Sequence, residues 1–519
     1  ASWGPTNAEV ARVQGMGLRA YLNEQLNAPS TGYPNLTFPL DDQTQECPAG
    51  SPQECGRDKF TLYPIQKTFF TNALTGQDQL RQRVAWALHQ IHVVSGREIS
   101  RPSWMTVYLQ ALDRNAFGNY RTLLNDITLN PAMGEYLDMR LSTRTSQNEN
   151  FAREILQLFS IGVNELNTDG TPRLDAQGKP LPSYDQNTVV NFTKVFTGWN
   201  FSTAIGNGIT NYRDPMVPRS ATNHDTTAKT LLSGVTLPAG QTAQQDLTAA
   251  LDNIFNHPNV GPFVGKQLIQ HLVTSNPSPA YVGRVAAVFN NDCSGFYPDN
   301  CTGARGNMKA VVTAVLLDPE ARGDVKTDPN YGKLREPVQY INNVLRAFNA
   351  KSFDKTTASD GVLSGRSTTD FPNTLDQPVF LPATVFSYYQ PEYEVPGTKL
   401  LGPAFGILST STTLRRANFV NSIVYTGVTV STTSTDRPRG TSLDLADATL
   451  NLEGMASNPT QLADALNALL MHGTMSAQMR TAVINAVSSI PVTDGSFARK
   501  RAQAAVYLVA TSSQYEIQR

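Results

Sequence analysis

The segment from Pro131 to Gly162, PAMGEYLDMRLSTRTSQNENFAREILQLFSIG, holds the densest set of acid, amide and guanidinium side chains in the chain. Glu149 and Arg153 are four apart, as are Asn150 and Glu154, so on a helix both pairs share one side. Ser146 and Glu149 have capping-box spacing, which predicts a helix starting near Gln147, and Gly162 is its predicted stop. Phe151, Ala152, Ile155, Leu158 and Phe159 would form the apolar arc. Glu149, Asn150, Arg153, Glu154, Gln157 and Ser160 would form the polar one. Glu135 and Asp138, on the preceding helix, could face that polar side. Two carboxylates across a cleft is what glycoside hydrolysis needs. In that reading Glu149 or Glu154 works with Asp138, Arg153 orients the acid and Asn150 holds substrate. The competing reading is that Glu149 caps the helix and pairs with Arg153 at the surface, where an ion pair is worth little.

A second group is His224-Asp225 followed by Lys229. A histidine beside an aspartate suits acid/base work. It follows the aromatic turn FTGWNF, where Trp199 and Phe201 could floor a sugar site. Alternatively Asp225 opens a helix with Thr226 and Thr227. His89 and His92 are three apart on one helix, a spacing that can seat a metal, but no third ligand is evident. The plainer expectation is one core histidine and one surface histidine. His257 reads as a helix-start residue, and His271 and His472 have no distinctive setting. The run from Glu165 to Gly170 hints at a calcium loop, yet Ala176 stands where a bidentate Glu is required. Asn291, Asp292, Asp299 and Asn300 around a Cys loop are a further, nonspecific calcium candidate. No cofactor and no metal site is assigned.

These groups need a large scaffold. The chain has 519 residues, 40% hydrophobic and 16% charged, with a formal net charge of −1. That is globular rather than disordered composition, and it provides no field to steer nucleic acid or an anionic membrane. No apolar run approaches the roughly 18 residues of a membrane span. There is no G-x-S-x-G elbow, no phosphate-binding loop and no complete dinucleotide fingerprint. The four cysteines sit as Cys47/Cys55 and Cys293/Cys301, each pair closing a short loop rich in turn residues. Two local disulfides are expected, hence an oxidising compartment and an exported protein. The start at Ala1 suggests a mature or trimmed form.

Helical periodicity dominates. Helices are predicted over 78–95, 103–116, 120–130, 244–256, 260–272, 279–289, 307–317, 333–348, 414–424, 460–470, 476–487 and 496–510. Pro337 is tolerated early in its helix. Asp169-Gly170 and Gln177-Gly178 mark turns of a hairpin-like insertion over about 167–184. Polar surface loops are expected at about 352–373 and 426–441. The fold class is mainly α: one large multi-helix domain over 1–519, in one lobe or two, carrying a small β-hairpin insertion.

Several ordered stretches together resemble one family. They are SWGPT (2–6), GLRAYLNEQL (17–26), RQRVAWALHQIHVVS (81–95), GEYLDMRLS (134–142) and NENFAREILQLFSIGV (148–163). FTGWNF (196–201), HDTTAKTLL (224–232), HPNVGPFVGKQLIQHLV (257–273), KLREPVQYINNVLRAF (333–348) and SSQYEIQR (512–519) follow in order. The chain is similar to the DUF1800 family, which implies an exported, mostly helical bacterial protein without implying a reaction. The resemblance also suggests a task shared with a DUF1501-family partner. Some members carry a Trp-His-Asn-His-Phe run where this chain has Leu88, His89, Gln90, Ile91 and His92. The expected function is action on an extracellular polymer, most simply polysaccharide hydrolysis by paired carboxylates. The alternatives are a cell-surface scaffold and a metal-dependent enzyme.

Overall fold

The computed structural model describes residues 2–519 apart from 53, 207, 221, 296–300, 324–327, 364–373 and 430–438. Its helices pack around Pro337–Ala347, every residue of which is buried. A helix enclosed on all sides must find partners for its polar groups. Arg346 finds them at the start of the chain. Its guanidinium donates to the carbonyls of Gly4, Ala73 and Leu74 at 2.6–3.0 Å and pairs with Glu9. Gly4 is needed there, since a Cβ would lie 2.8 Å from the Asn343 backbone. The far end of the chain closes on the same element. Lys333–Leu334 pairs antiparallel with Ile517–Gln518, and Arg335 N–H donates to Glu516 O. Buried apolar residues from Trp3 to Tyr515 form one contiguous core.

Two helical groups flank the centre. Val260–Leu272 packs on Gln79–Ile91, Pro279–Asn290 and Met308–Leu317. Pro459–Met471, Ala477–Ser488 and Phe497–Ala510 pack on one another. Strands occur only as short antiparallel pairs among the described residues. The architecture is mainly α, with small β elements as expected.

The insertion after residue 163 is a folded-back loop rather than a regular hairpin. Bridges join Asn164 to Pro182, Leu166 to Pro172 and Leu174 to Pro180, with Gly170 and Gly178 in the left-handed region at its two turns. Cys47–Cys55 and Cys293–Cys301 form two local disulfides. The predicted loops at 352–373 and 426–441 lie partly outside the described residues. Within them, bridges tie Lys351 to Ala358 and Val428 to Thr441.

Several predicted boundaries change, three of them beside the candidate residues. The helix over 78–95 stops at Ile91, because the His92–Ser95 backbone leaves the helix and runs past 380–382. The helix over 333–348 starts only at Pro337, since Lys333 and Leu334 are taken by strand pairing. The helix of the acidic block runs Asn150–Gln157 and has no capping box. Ser146 is held instead in a turn against Thr143, and the Asn148 side chain accepts from Asn150 N–H.

Candidate functional site

The Asn150–Gln157 helix separates the residues expected to act together. Glu149 is exposed. Its carboxylate accepts from Arg153 at 2.6 Å and from Gln186 Nε2 at 2.8 Å, and these bonds lower its pKa. Arg153 also reaches Gln186 Oε1. Asp138 sits exposed on a left-handed turn (φ 57°), 3.4 Å from Asn150 Nδ2. Glu154, placed on the polar arc by its spacing, is only 7% exposed, and its Oε2 has no hydrogen-bond partner. Burial raises its pKa, with Arg153 opposing. Ser160, from the same arc, is fully buried and donates to Ile155 O. Glu135 pairs with Arg140. The polar face is thus half surface and half core.

The second predicted group does converge, but on a residue that the sequence did not single out. His224 Nε2 lies 2.8 Å from Asp246 Oδ2, and Lys229 Nζ lies 2.7 Å from the same oxygen. His224 Nδ1 faces Thr197 O at 3.0 Å, so both ring nitrogens meet acceptors. Lys229 also donates to the carbonyls of Asp225 and Thr227. Asp225 caps the turn through Thr227 N–H and accepts from Gln147. Burial raises the Asp225 pKa, but Thr227 and the nearby lysines outweigh it and leave the carboxyl low. His224, Lys229 and Asp246 are buried, so this network holds the loop rather than meeting a ligand. Trp199 is 1% exposed and belongs to the core, which corrects its expected place in a sugar site. Phe201 does reach an open groove, beside Trp104 and beneath Arg140.

A separate cleft of about 310 Å³ opens where several segments meet. The end of the Asn150–Gln157 helix supplies Gln157, the 163–172 insertion supplies one wall, and Val260–Leu272 supplies Phe263, Gln267, Gln270 and His271. The loop 385–392 brings Phe386 and Tyr389, and Lys333 and Gln90 complete the lining. Gly162 permits the close wall: at φ 72° its missing Cβ would meet the Phe263 ring at 2.8 Å. The polar lining is poorly satisfied. Gln90 Oε1, Gln267 Nε2 and Gln270 Oε1 have no partner among the described residues. The His271 ring makes no hydrogen bond there either, although it lies beside the Tyr389 ring at 6.4 Å.

Charge is concentrated at one end of this cleft. Glu336 accepts from Trp86 Nε1 and Gln90 Nε2 at 3.1 Å, Gln377 Nε2 at 2.6 Å and Tyr389 OH at 2.7 Å. Arg83 stands 3.7 Å away. Burial opposes ionisation of Glu336, but Lys333, Arg83 and the Tyr389 bond outweigh it and hold the pKa at about 2. Lys333 is 4% exposed and donates to His271 O at 2.6 Å. It makes no ion pair among the described residues. Burial pushes its pKa down to about 7, with Glu336 opposing and Arg83 adding to the fall. His271, 9% exposed, is pushed to about 4 by burial. Perturbed groups lining a concavity mark a candidate site.

The sequence reading passed over His271 and Lys333. Two signals could have found this end. Arg83, Trp86 and Gln90 recur at helical spacing on one face, as do Gln267, Gln270 and His271. The run Lys333-Leu334-Arg335-Glu336 also puts charges where the chain is about to enter the core.

The remaining candidates sit in local hydrogen-bond networks. His89 and His92 are both buried; His89 Nδ1 meets Tyr108 OH, which donates to His92 O, and His92 Nε2 meets Tyr120 OH. The expected surface histidine is therefore in the core as well, and burial lowers their pKa values to about 3 and about 4. His257 accepts from Asn259 N–H just before its helix, and His472 ends another in the left-handed region. Asp292 accepts from the N–H groups of Thr302, Gly303 and Ala304 and from Asn307 Nδ2. Its neighbours Cys293 and Cys301 are joined in a disulfide, and Asp299 and Asn300 lie outside the described residues.

A mainly helical chain fits the resemblance read from the sequence. The chain belongs to the DUF1800 family, described as a protein of unknown function, whose model matches residues 1–517. No curated protein and no solved structure matches it. Among the described residues, no helix is long and apolar enough to cross a membrane.

Proposed function

We propose that the chain is an exported protein that holds a segment of an extracellular polysaccharide in the Lys333–His271 cleft. The carrying observation is the set of glutamines lining it, three of which keep an amide atom without a partner. A buried amide atom left unpaired costs about 1–3 kcal/mol, which a ligand able both to donate and to accept would relieve. Sugar hydroxyls do both, and the rings of Phe263, Phe386 and Tyr389 offer apolar faces to a pyranose. The cleft volume is at the lower end of small-molecule sites, so one or two sugar rings fill it. The two disulfides support an oxidising location.

Binding is tested on a panel of oligosaccharides with the intact protein and with Gln267→Leu. Retention of some glycans, weakened roughly tenfold by the substitution, is the expected result. Retention of none overturns the reading and leaves a scaffold acting with a DUF1501-type partner as its replacement. A hydrolytic role rests on a second observation: Glu154 is a buried carboxyl with a raised pKa, one helical turn from Gln157 at the cleft edge. Such a group suits a general acid, whereas Asp138, exposed beside Asn150, does not line the cleft. Glu154→Gln should then abolish glycan turnover while binding persists.

A further inference from the structure

We infer that the saccharide taken by this cleft is acidic, with a carboxylate or sulfate ester seated against Lys333. The inference rests on the saccharide reading and deepens it. Lys333 and Arg83 are two buried cations that share one buried carboxylate, Glu336. That carboxylate is already engaged by Trp86, Gln90, Gln377 and Tyr389. Lys333 is left with a backbone carbonyl as its hydrogen-bond partner, and it lines the cleft. A buried cation short of a counter-charge is costly, and an anion entering the cleft removes that cost. Lys266, half-buried on the rim, adds a further positive charge, offset by exposed Glu392. The unpartnered Gln267 Nε2 is a donor suited to the same anionic group.

The depressed pKa of Lys333, about 7, agrees with this environment. The groups facing it are Arg83 from Gln79–Ile91, His271 from Val260–Leu272, Tyr389 from its loop, and Arg335 and Glu336 beside it. A bound anion raises the Lys333 pKa, so binding above pH 7 draws in a proton, and affinity falls as pH rises further.

The test is titration calorimetry on the intact protein with digalacturonate and its methyl ester, and with sulfated galactobiose and galactobiose. Each pair sets an acidic disaccharide against a neutral counterpart. For at least one pair the acidic form should bind roughly 100-fold tighter at pH 6.5. The favoured pair identifies the anion. At pH 8 the same titration in buffers of different ionisation enthalpy should register proton uptake. Lys333→Met should collapse the preference and the uptake, and should raise the melting temperature instead of lowering it. A residue with a merely structural role would lower it. Equal binding of charged and neutral forms in both pairs overturns the inference and leaves the saccharide reading intact. Binding of none of the four overturns both. Uptake without Lys333 would assign the proton to His271 and also overturn it.

Discussion

The Asn150–Gln157 helix and the Lys333–Glu336 segment both carry acids, bases and amides at short spacing, yet they resolve their charges in opposite ways. At the first, Glu149, Arg153 and Gln186 satisfy one another in solvent. At the second, one carboxylate collects the donors and faces two buried cations, with the Lys333 amine donating to a backbone carbonyl. The lesson is that density of charge in sequence marks where ions can pair, whereas an imbalance created by burial marks where a ligand can be held.

The sharpest way to break this comparison is Glu336→Gln. It leaves Arg83 and Lys333 buried without their carboxylate, so stability should fall by about 3–5 kcal/mol in urea titrations. Because the pKa of Glu336 is depressed, its contribution is fully present above the unfolded carboxylate pKa near 4.5. It should be lost as pH falls from about 4.5 toward about 2. A loss no larger than that of a surface mutant would remove the contrast.

Lys333→Met should act in the other direction and gain stability at pH 6, because burial disfavours the ammonium form in the native state. The native pKa of Lys333 lies below its unfolded value, so the unfolded chain holds a proton that the native one has released between about 7 and 10.5. Wild-type stability therefore rises relative to the mutant across that window. Thermal melts at pH 6 and pH 10 check the sign.

Glu154→Gln should gain about 1 kcal/mol at pH 7 and nothing at pH 3, since its raised native pKa makes ionisation a cost at neutral pH alone. Glu149→Ala is the smallest case. Its exposed pair should change stability by less than about 1 kcal/mol, and any change should fade with added salt. A larger effect would show that the signature block holds more of the fold than its exposure suggests.

The helices were legible because their apolar spacing is strong, and the disulfides because each pair closes a local loop. The ends were less so. Strand pairing with the last residues takes Lys333 and Leu334 out of a helix that their pattern favours, and no local signal records a partner so distant in sequence. Glu154 and Ser160 read as surface on a helical wheel, yet neighbouring segments bury both. The His224 group was found, but its sealed position depends on Asp246 from another helix. His271 and Lys333 were missed for the same reason: the oddity of each exists only once Gln79–Ile91 and the 385–392 loop enclose it.

The antiparallel pairing of Lys333–Leu334 with Ile517–Gln518 makes the tail a clasp for the cleft's most unusual side chain. Removing residues 516–519 would strip the amine-bearing strand of its neighbour and leave Arg335 N–H without its acceptor at Glu516 O.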